Sequence, residues 1–161
     1  MKSLSILTRY ADKVPELEWI EPVGDISDLL PREWGLYLFK DKITGRVDYI
    51  GSATGRKGLY QRLRNQHLQP KYKKSVFRLK VERGFTAEIP ECSAEYIREN
   101  YWLAVLPVPE HISIIKALEQ ILIFEYSPKF NSETTKHNHG FNRTPESSGP
   151  AKPGEFGGGA G

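Results

Sequence analysis

The residue that asks most for a chemical explanation is Glu119. At about 100° per residue, Ile112, Ile115, Leu118, Leu122, Ile123 and Tyr126 share one side of a helix over 110–126. Glu119 falls inside that apolar stripe, while Ser113, Lys116 and Gln120 take the polar side. A carboxylate aimed at a core costs several kcal/mol unless a cation, a metal or hydrogen bonds satisfy it. Two readings stand side by side: a buried salt bridge to an arginine, or a metal ligand. Arg62 lies beside Leu59 and Leu63, one turn before Gln66. A solvated arginine is the default, yet the planar guanidinium is also the side chain that best matches a phosphate. Tyr37 and Tyr49 sit in two strand-like segments and, with Tyr37 opposite Tyr49 and Phe39 opposite Val47, would stand side by side on one face. Taken alone, such a pair is better explained by ordinary cross-strand aromatic packing.

Together, two phenols, a cation and a carboxylate are the parts of a phosphodiester hydrolase. A metal on Glu119 would polarise the phosphoryl oxygen and the leaving group. A base would take the proton of water, and a cation would steady the charge that develops on phosphorus. The loop 51–58 carries Gly51, Gly55 and Gly58 with Arg56 and Lys57, and would let a phosphate backbone approach closely. It lacks the Gly-Lys-Ser/Thr ending of a nucleotide-binding P-loop.

The elements that must position these groups follow from pattern. Residues 34–39 and 47–51 read as strands, joined through Asp41-Lys42-Ile43-Thr44-Gly45 into a hairpin. Residues 58–68 read as a short helix. Residues 76–81 alternate Phe77, Leu79 and Val81 with Arg78 and Lys80, which predicts a strand with one basic face. Residues 93–100 read as a helix, 101–108 as a strand, 110–126 as the longest helix, and 25–30 as a short helical turn. The Gly/Ser/Pro-rich end is expected to be disordered from about Gly140.

The 161 residues are enough for one domain with a real core. The net charge of +3 hides a segmentation: 1–39 carries −3, 40–83 carries +10 and 84–127 carries −5. A segment at +10 is a candidate surface for a polyanion, although charge runs are commonly solvated faces. Its strip of cations, Arg56, Lys57, Arg64, Lys73, Lys74 and Arg78, would be the nucleic-acid contacts. The acidic set Glu88, Glu91, Glu95 and Glu99 could meet a basic partner or simply be a wet helix face. The longest apolar run, 121–124, is far short of a membrane span, and no secretory signal is legible at the N-terminus. The lone Cys92 rules out an intramolecular disulfide and a cysteine-cluster zinc site. An intracellular protein is the expectation.

In order along the chain, Gly35-Leu36-Tyr37, eleven residues, then Tyr49-Ile50-Gly51 resembles the paired signature of the GIY-YIG nuclease family. Leu59-Tyr60-Gln61-Arg62-Leu63 resembles its arginine helix, Ala117-Leu118-Glu119-Gln120 its glutamate helix, and Ser127-Pro128-Lys129-Phe130-Asn131 its closing segment. The resemblance implies an α+β fold: a small central antiparallel three-stranded sheet flanked by helices. It implies a nuclease domain over 34–131, with 1–33 an N-terminal extension and 132–161 a flexible tail. It implies hydrolysis of DNA with one Mg²⁺ or Mn²⁺ ion, held by Glu119 and otherwise by water and phosphate. Arg62 would hold the scissile phosphate, Tyr37 or Tyr49 would take the proton or orient the water, and Gly51 and Asn131 would support the site. A phenol needs its pKa lowered from about 10 to serve as a base, so Arg62, a lysine or the metal must help.

One position departs from the pattern. Many members have His or Tyr four residues after the arginine; here that residue is Gln66, with His67 one further on and rotated by about 100°. Either the helix end is irregular and His67 still points inward, joining the catalytic set, or Gln66 takes an orienting role. The competing function is a nucleic-acid-binding module that no longer cuts, with Tyr60, Tyr72 and Phe77 stacking on bases. A carboxylate that repels phosphate argues against it. A purely structural protein would need the in-core glutamate and four ordered motifs to coincide. A single-ion site cuts one strand per turnover, so a double-strand cutter would dimerise or act twice, and a protein partner could supply specificity.

Overall fold

The computed structural model of the protein describes residues 2–71, 75–84 and 92–131. Three strands form one antiparallel sheet in the order β2-β1-β3: β1 Gly35–Asp41, β2 Val47–Ala53 and β3 Tyr101–Pro107. Helices α1 (Lys2–Ala11) and α5 (Ile112–Tyr126) cover one face. Helices α2 (Gly58–Arg62), α3 (Val76–Arg83) and α4 (Ser93–Asn100) cover the other. The α+β architecture expected from the sequence is the one observed. Among the described residues no helix is long and apolar enough to cross a membrane.

Strand alternation divides the core in two. Leu36, Leu38 and Ile50 point to α5, where they meet Ile115, Leu118 and Leu122; Tyr10 of α1 joins them. Tyr37, Phe39, Tyr49 and Leu103 point the opposite way, onto Leu59, Leu63, Phe77 and Ile97. The N-terminal segment is docked: Arg9 pairs with Glu110 at 2.8 Å, and Ile20 exchanges both backbone hydrogen bonds with Leu103 of β3.

Two sequence expectations are corrected. Residues 76–81 are helical, not a strand. The hydroxyl of Ser75 accepts from the Arg78 backbone N–H at 3.1 Å and caps α3. Phe77 and Val81, four apart, then face the core together, whereas Leu79 is exposed. The apparent two-residue alternation and the helical spacing share those two residues, and the cap decides between them. Phe77 is fully buried and so is no stacking platform.

The hairpin register is also shifted by two residues: Phe39 faces Tyr49, Tyr37 faces Gly51, and a bulge between Phe39 and Lys40 brings Lys40 opposite Val47. The phenols are diagonal neighbours, with ring centroids 6.2 Å apart. The reason is steric. A Cβ at Gly51 would lie 2.4 Å from Cζ and Oη of Tyr37, so only glycine lets that ring lie flat across β2. Gly51→Ala is therefore expected to destabilise the fold by about 1–3 kcal/mol through overpacking. Urea unfolding of parent and variant measures it; an unchanged midpoint would mean Tyr37 can move aside freely.

Candidate active site

The Tyr37 ring is fully buried, and its hydroxyl is the hub of a polar chain. The Arg62 Nε donates to it at 3.2 Å, and His67 Nε2 lies 2.8 Å away. The other imidazole nitrogen, Nδ1, is 2.8 Å from the hydroxyl of Ser75. Arg62 reaches this position because Gly58 starts the helix at φ +51°, where a Cβ would strike the carbonyls of Arg32 and Glu33. The N–H groups of Leu59 and Tyr60 are then capped by the carbonyls of Glu33 and Pro31.

The choice left open between Gln66 and His67 resolves to both. After Arg62 the helix continues as a π turn, Leu63–His67, and Leu68 N–H bonds to Leu63 O, five residues back. A π turn holds one extra residue, so the fifth residue after Arg62 takes the direction the fourth has in an α-helix. His67 thus points into the core, fully buried, while Gln66 Oε1 accepts a hydrogen bond from Arg62 Nη1.

Glu119 comes from the opposite face. Its side chain is 13% exposed, at the border of the apolar stripe, with Ile112 and Tyr126 exposed at the stripe's ends. No arginine among the described residues meets it. The Ser52 hydroxyl donates to Oε2 at 3.0 Å and the Lys116 ammonium at 2.9 Å. Ser52 also lines an open cleft of about 380 Å³ with Ala53, Thr54, Gly55, Gly58, Gln61, Arg62 and Gln66. The guanidinium lines this hollow, and the carboxylate is linked to its wall through Ser52 at the end of β2. The loop at its rim is pinned by the Trp34 indole N–H, which donates to Gly55 O at 3.0 Å. The edge of β2 is held from outside: Asn131 Oδ1 accepts from Ile50 N–H at 2.9 Å and its Nδ2 donates to Ile50 O at 2.8 Å.

Electrostatics follow from this packing. Burial pushes the Tyr37 phenol well above its usual range, with neighbouring Tyr49 adding to the shift and Arg62 opposing it. Burial raises Tyr49 too; Arg62 opposes and the Glu119 charge adds. For Arg62, burial works against the cation, and the Tyr37 and Tyr49 oxygens more than offset it. Burial, then the charges of Arg62 and Arg78, holds His67 well below the usual histidine range, so it is neutral.

The basic strip is only partly a surface. Arg56, Lys57 and Arg64 are exposed, and Arg64 donates to the Tyr60 hydroxyl at 2.8 Å. Tyr60 also carries the Arg32 guanidinium over its ring. Arg78 is a correction: it is 2% exposed, with its guanidinium bonded to Ser93 Oγ at 3.0 Å and Gln69 O at 3.1 Å, so it ties α3 to α4 instead of facing solvent. Lys73, Lys74, Tyr72, Glu88, Glu91 and the tail over 132–161 lie outside the described residues. Ser52, Ser75 and Lys116 were not singled out in the sequence. Ser52 directly follows the Tyr49-Ile50-Gly51 triplet, a signal that could have marked it; Ser75 is visible only as a possible helix cap.

Comparison with known proteins now bears on this arrangement. The family model of the GIY-YIG catalytic domain matches residues 33–106 of the chain. A solved structure with similarity is a point mutant of the N-terminal GIY-YIG endonuclease domain of UvrC from Thermotoga maritima, bound to its catalytic divalent cation. It is 29% identical, with a TM-score of 0.36, over 64% of this chain and 87% of that one. No curated protein matches the chain.

The buried neutral His67 has a measurable consequence. Below the ordinary histidine pKa of 6.5, the unfolded chain binds a proton that folded His67 refuses. Stability then falls as pH drops below that value, by up to about 1.4 kcal/mol per pH unit, and has no slope from this group above it. Urea unfolding at about pH 5 and about pH 8 should show that slope in the parent and a shallower one in His67→Asn. Equal slopes would mean that His67 is protonated in the fold.

Proposed function

We propose that the protein is a metal-dependent endonuclease that hydrolyses DNA phosphodiester bonds. The observation that carries this is a guanidinium lining an open polar cleft and a carboxylate from the opposite face of the sheet bonded to Ser52 on that cleft's wall, with a phenol pair behind the guanidinium. Arg62 grips the scissile phosphate; its orientation is already fixed by Tyr37 and Gln66, so little is lost on binding. Exposed Arg56, Lys57 and Arg64 extend the contact along the backbone. Residues 34–131 form the nuclease domain, braced by 2–33.

The residues present fit a hard divalent ion, Mg²⁺ or Mn²⁺. The Glu119 carboxylate already has a cation, the Lys116 ammonium, on Oε2, and no donor among the described residues reaches Oε1. No group of three or more His, Cys, Asp and Glu gathers elsewhere among the described residues. One carboxylate leaves most of the coordination shell to water and phosphate oxygens, as suits an ion that dehydrates reluctantly. When bound, the ion supplies positive charge that polarises the phosphoryl oxygen, stabilises the leaving group and favours deprotonation of nearby phenols.

Tyr37 and Tyr49 are both protonated at rest, since burial raises both. Arg62 lowers each, and a phenol that has given up its own proton to solvent, helped by Arg62 and the ion, would take the proton of the attacking water. His67, neutral and 2.8 Å from the Tyr37 oxygen, orients that phenol. Asn131 and Gly51 keep β2 and Tyr37 in register.

The test is cleavage of supercoiled plasmid and of a branched DNA, each with Mg²⁺ and with a chelator. Metal-dependent cutting is expected, with nicked circles preceding linear product. Glu119→Ala should abolish it, and Arg62→Ala should slow it by about 10²–10³-fold. Tight DNA binding without cutting in Mg²⁺ or Mn²⁺ would replace the enzyme by a binding module on the same fold.

A further inference from the structure

Lys116 belongs to the polar side of α5 by helical periodicity, yet its ammonium reaches across to two groups of the site. It donates to Ser52 Oγ at 2.7 Å and to Glu119 Oε2 at 2.9 Å. Ser52 itself donates to the same Oε2 at 3.0 Å, closing a triangle of three groups. The pair is spaced i,i+3 with the lysine N-terminal to the glutamate, the order that helices reward least. Ser52, from another element, is what gathers it. The two ends differ in access: the lysine side chain is 54% exposed and the glutamate 13%. The carboxylate is fixed, whereas the ammonium is on a long wet stem and can swing away.

We propose that Lys116 is a tethered cation that occupies Glu119 in the resting protein and must be displaced by the divalent ion. This rests on the reading of Glu119 as the metal ligand. A single carboxylate offers one negative charge, and an ammonium on one of its oxygens cancels that charge and fills one of its lone-pair directions. The ion and the lysine therefore compete for the charge of the same carboxylate. Release of Lys116 leaves its ammonium beside Ser52, on the wall of the cleft that also holds Arg62, where a phosphate is the next available partner. Metal loading and exposure of a second phosphate-seeking cation are one event. Without the ion, Glu119 is neutralised and the cleft offers DNA a smaller repulsion than a bare carboxylate would.

The test is binding of Mn²⁺ alone, without DNA, followed by electron paramagnetic resonance of free Mn²⁺ at low salt. Lys116→Met should bind Mn²⁺ about two- to five-fold more tightly than the parent, the range of an exposed ion pair set against the ion. Lys57→Met, which removes an equal charge from the nearby loop without touching Glu119, should shift affinity less. Glu119→Gln should lose the binding. Equal affinity in Lys116→Met and the parent, including no binding by either, overturns the competition, as does an equal gain in Lys57→Met. Mn²⁺ held as well by Glu119→Gln as by the parent overturns the metal-site reading itself and the competition with it.

Discussion

The phenol oxygen of Tyr37 is the point on which the arrangement turns. It is fully buried and out of reach of water, so every partner it has must be brought to it by the fold. The Arg62 helix, the π turn that aims His67, and the bare Cα of Gly51 each serve that oxygen. A buried phenol left without partners would cost the fold a desolvation penalty of about 1–3 kcal/mol. The same bonds that remove this cost hold Arg62 at the mouth of the cleft. Stability and the proposed chemistry thus draw on one set of hydrogen bonds, and neither can be altered alone.

The sheet contributes by being narrow. With only three strands, β2 is an edge, and a side chain from α5 on one face can approach the cleft that α2 lines on the other. Ser52 makes the crossing, bonded to Glu119 while lining the Arg62 hollow. A further strand beyond β2 would put backbone where the cleft now opens.

Much of this was legible in the residues. Glu119 stood out because a carboxylate interrupted an otherwise apolar stripe, and the three strands around the site were marked by aromatic and β-branched runs. The hairpin register was not, because strand pairing there is set by a bulge and by the space that Gly51 leaves, neither of which alternation reveals. Residues 76–81 misled for a related reason: Phe77 and Val81 satisfy both a period of two and a turn of helix, and the decision lay outside the run, in Ser75. The burial of Arg78 was equally hidden, since its partners, Ser93 and the Gln69 carbonyl, are remote or main-chain. His67 needed an irregular turn to reach the site, and the sequence could only pose that alternative.

Both free edges of the sheet are closed by segments far from it in sequence. Ile20 pairs with Leu103 on β3, and Asn131 presents its amide to both backbone groups of Ile50 on β2, while Phe130 N–H bonds to Asp48 O. An unpaired strand edge is a template for association with another chain. During synthesis the hairpin emerges long before residue 131, so β2 stays open to the ribosome's surroundings until the last part of the domain has been made. The side chain that finally shields it is a single asparagine, which makes the nascent chain's exposure to aggregation depend on how promptly translation runs from β3 through α5.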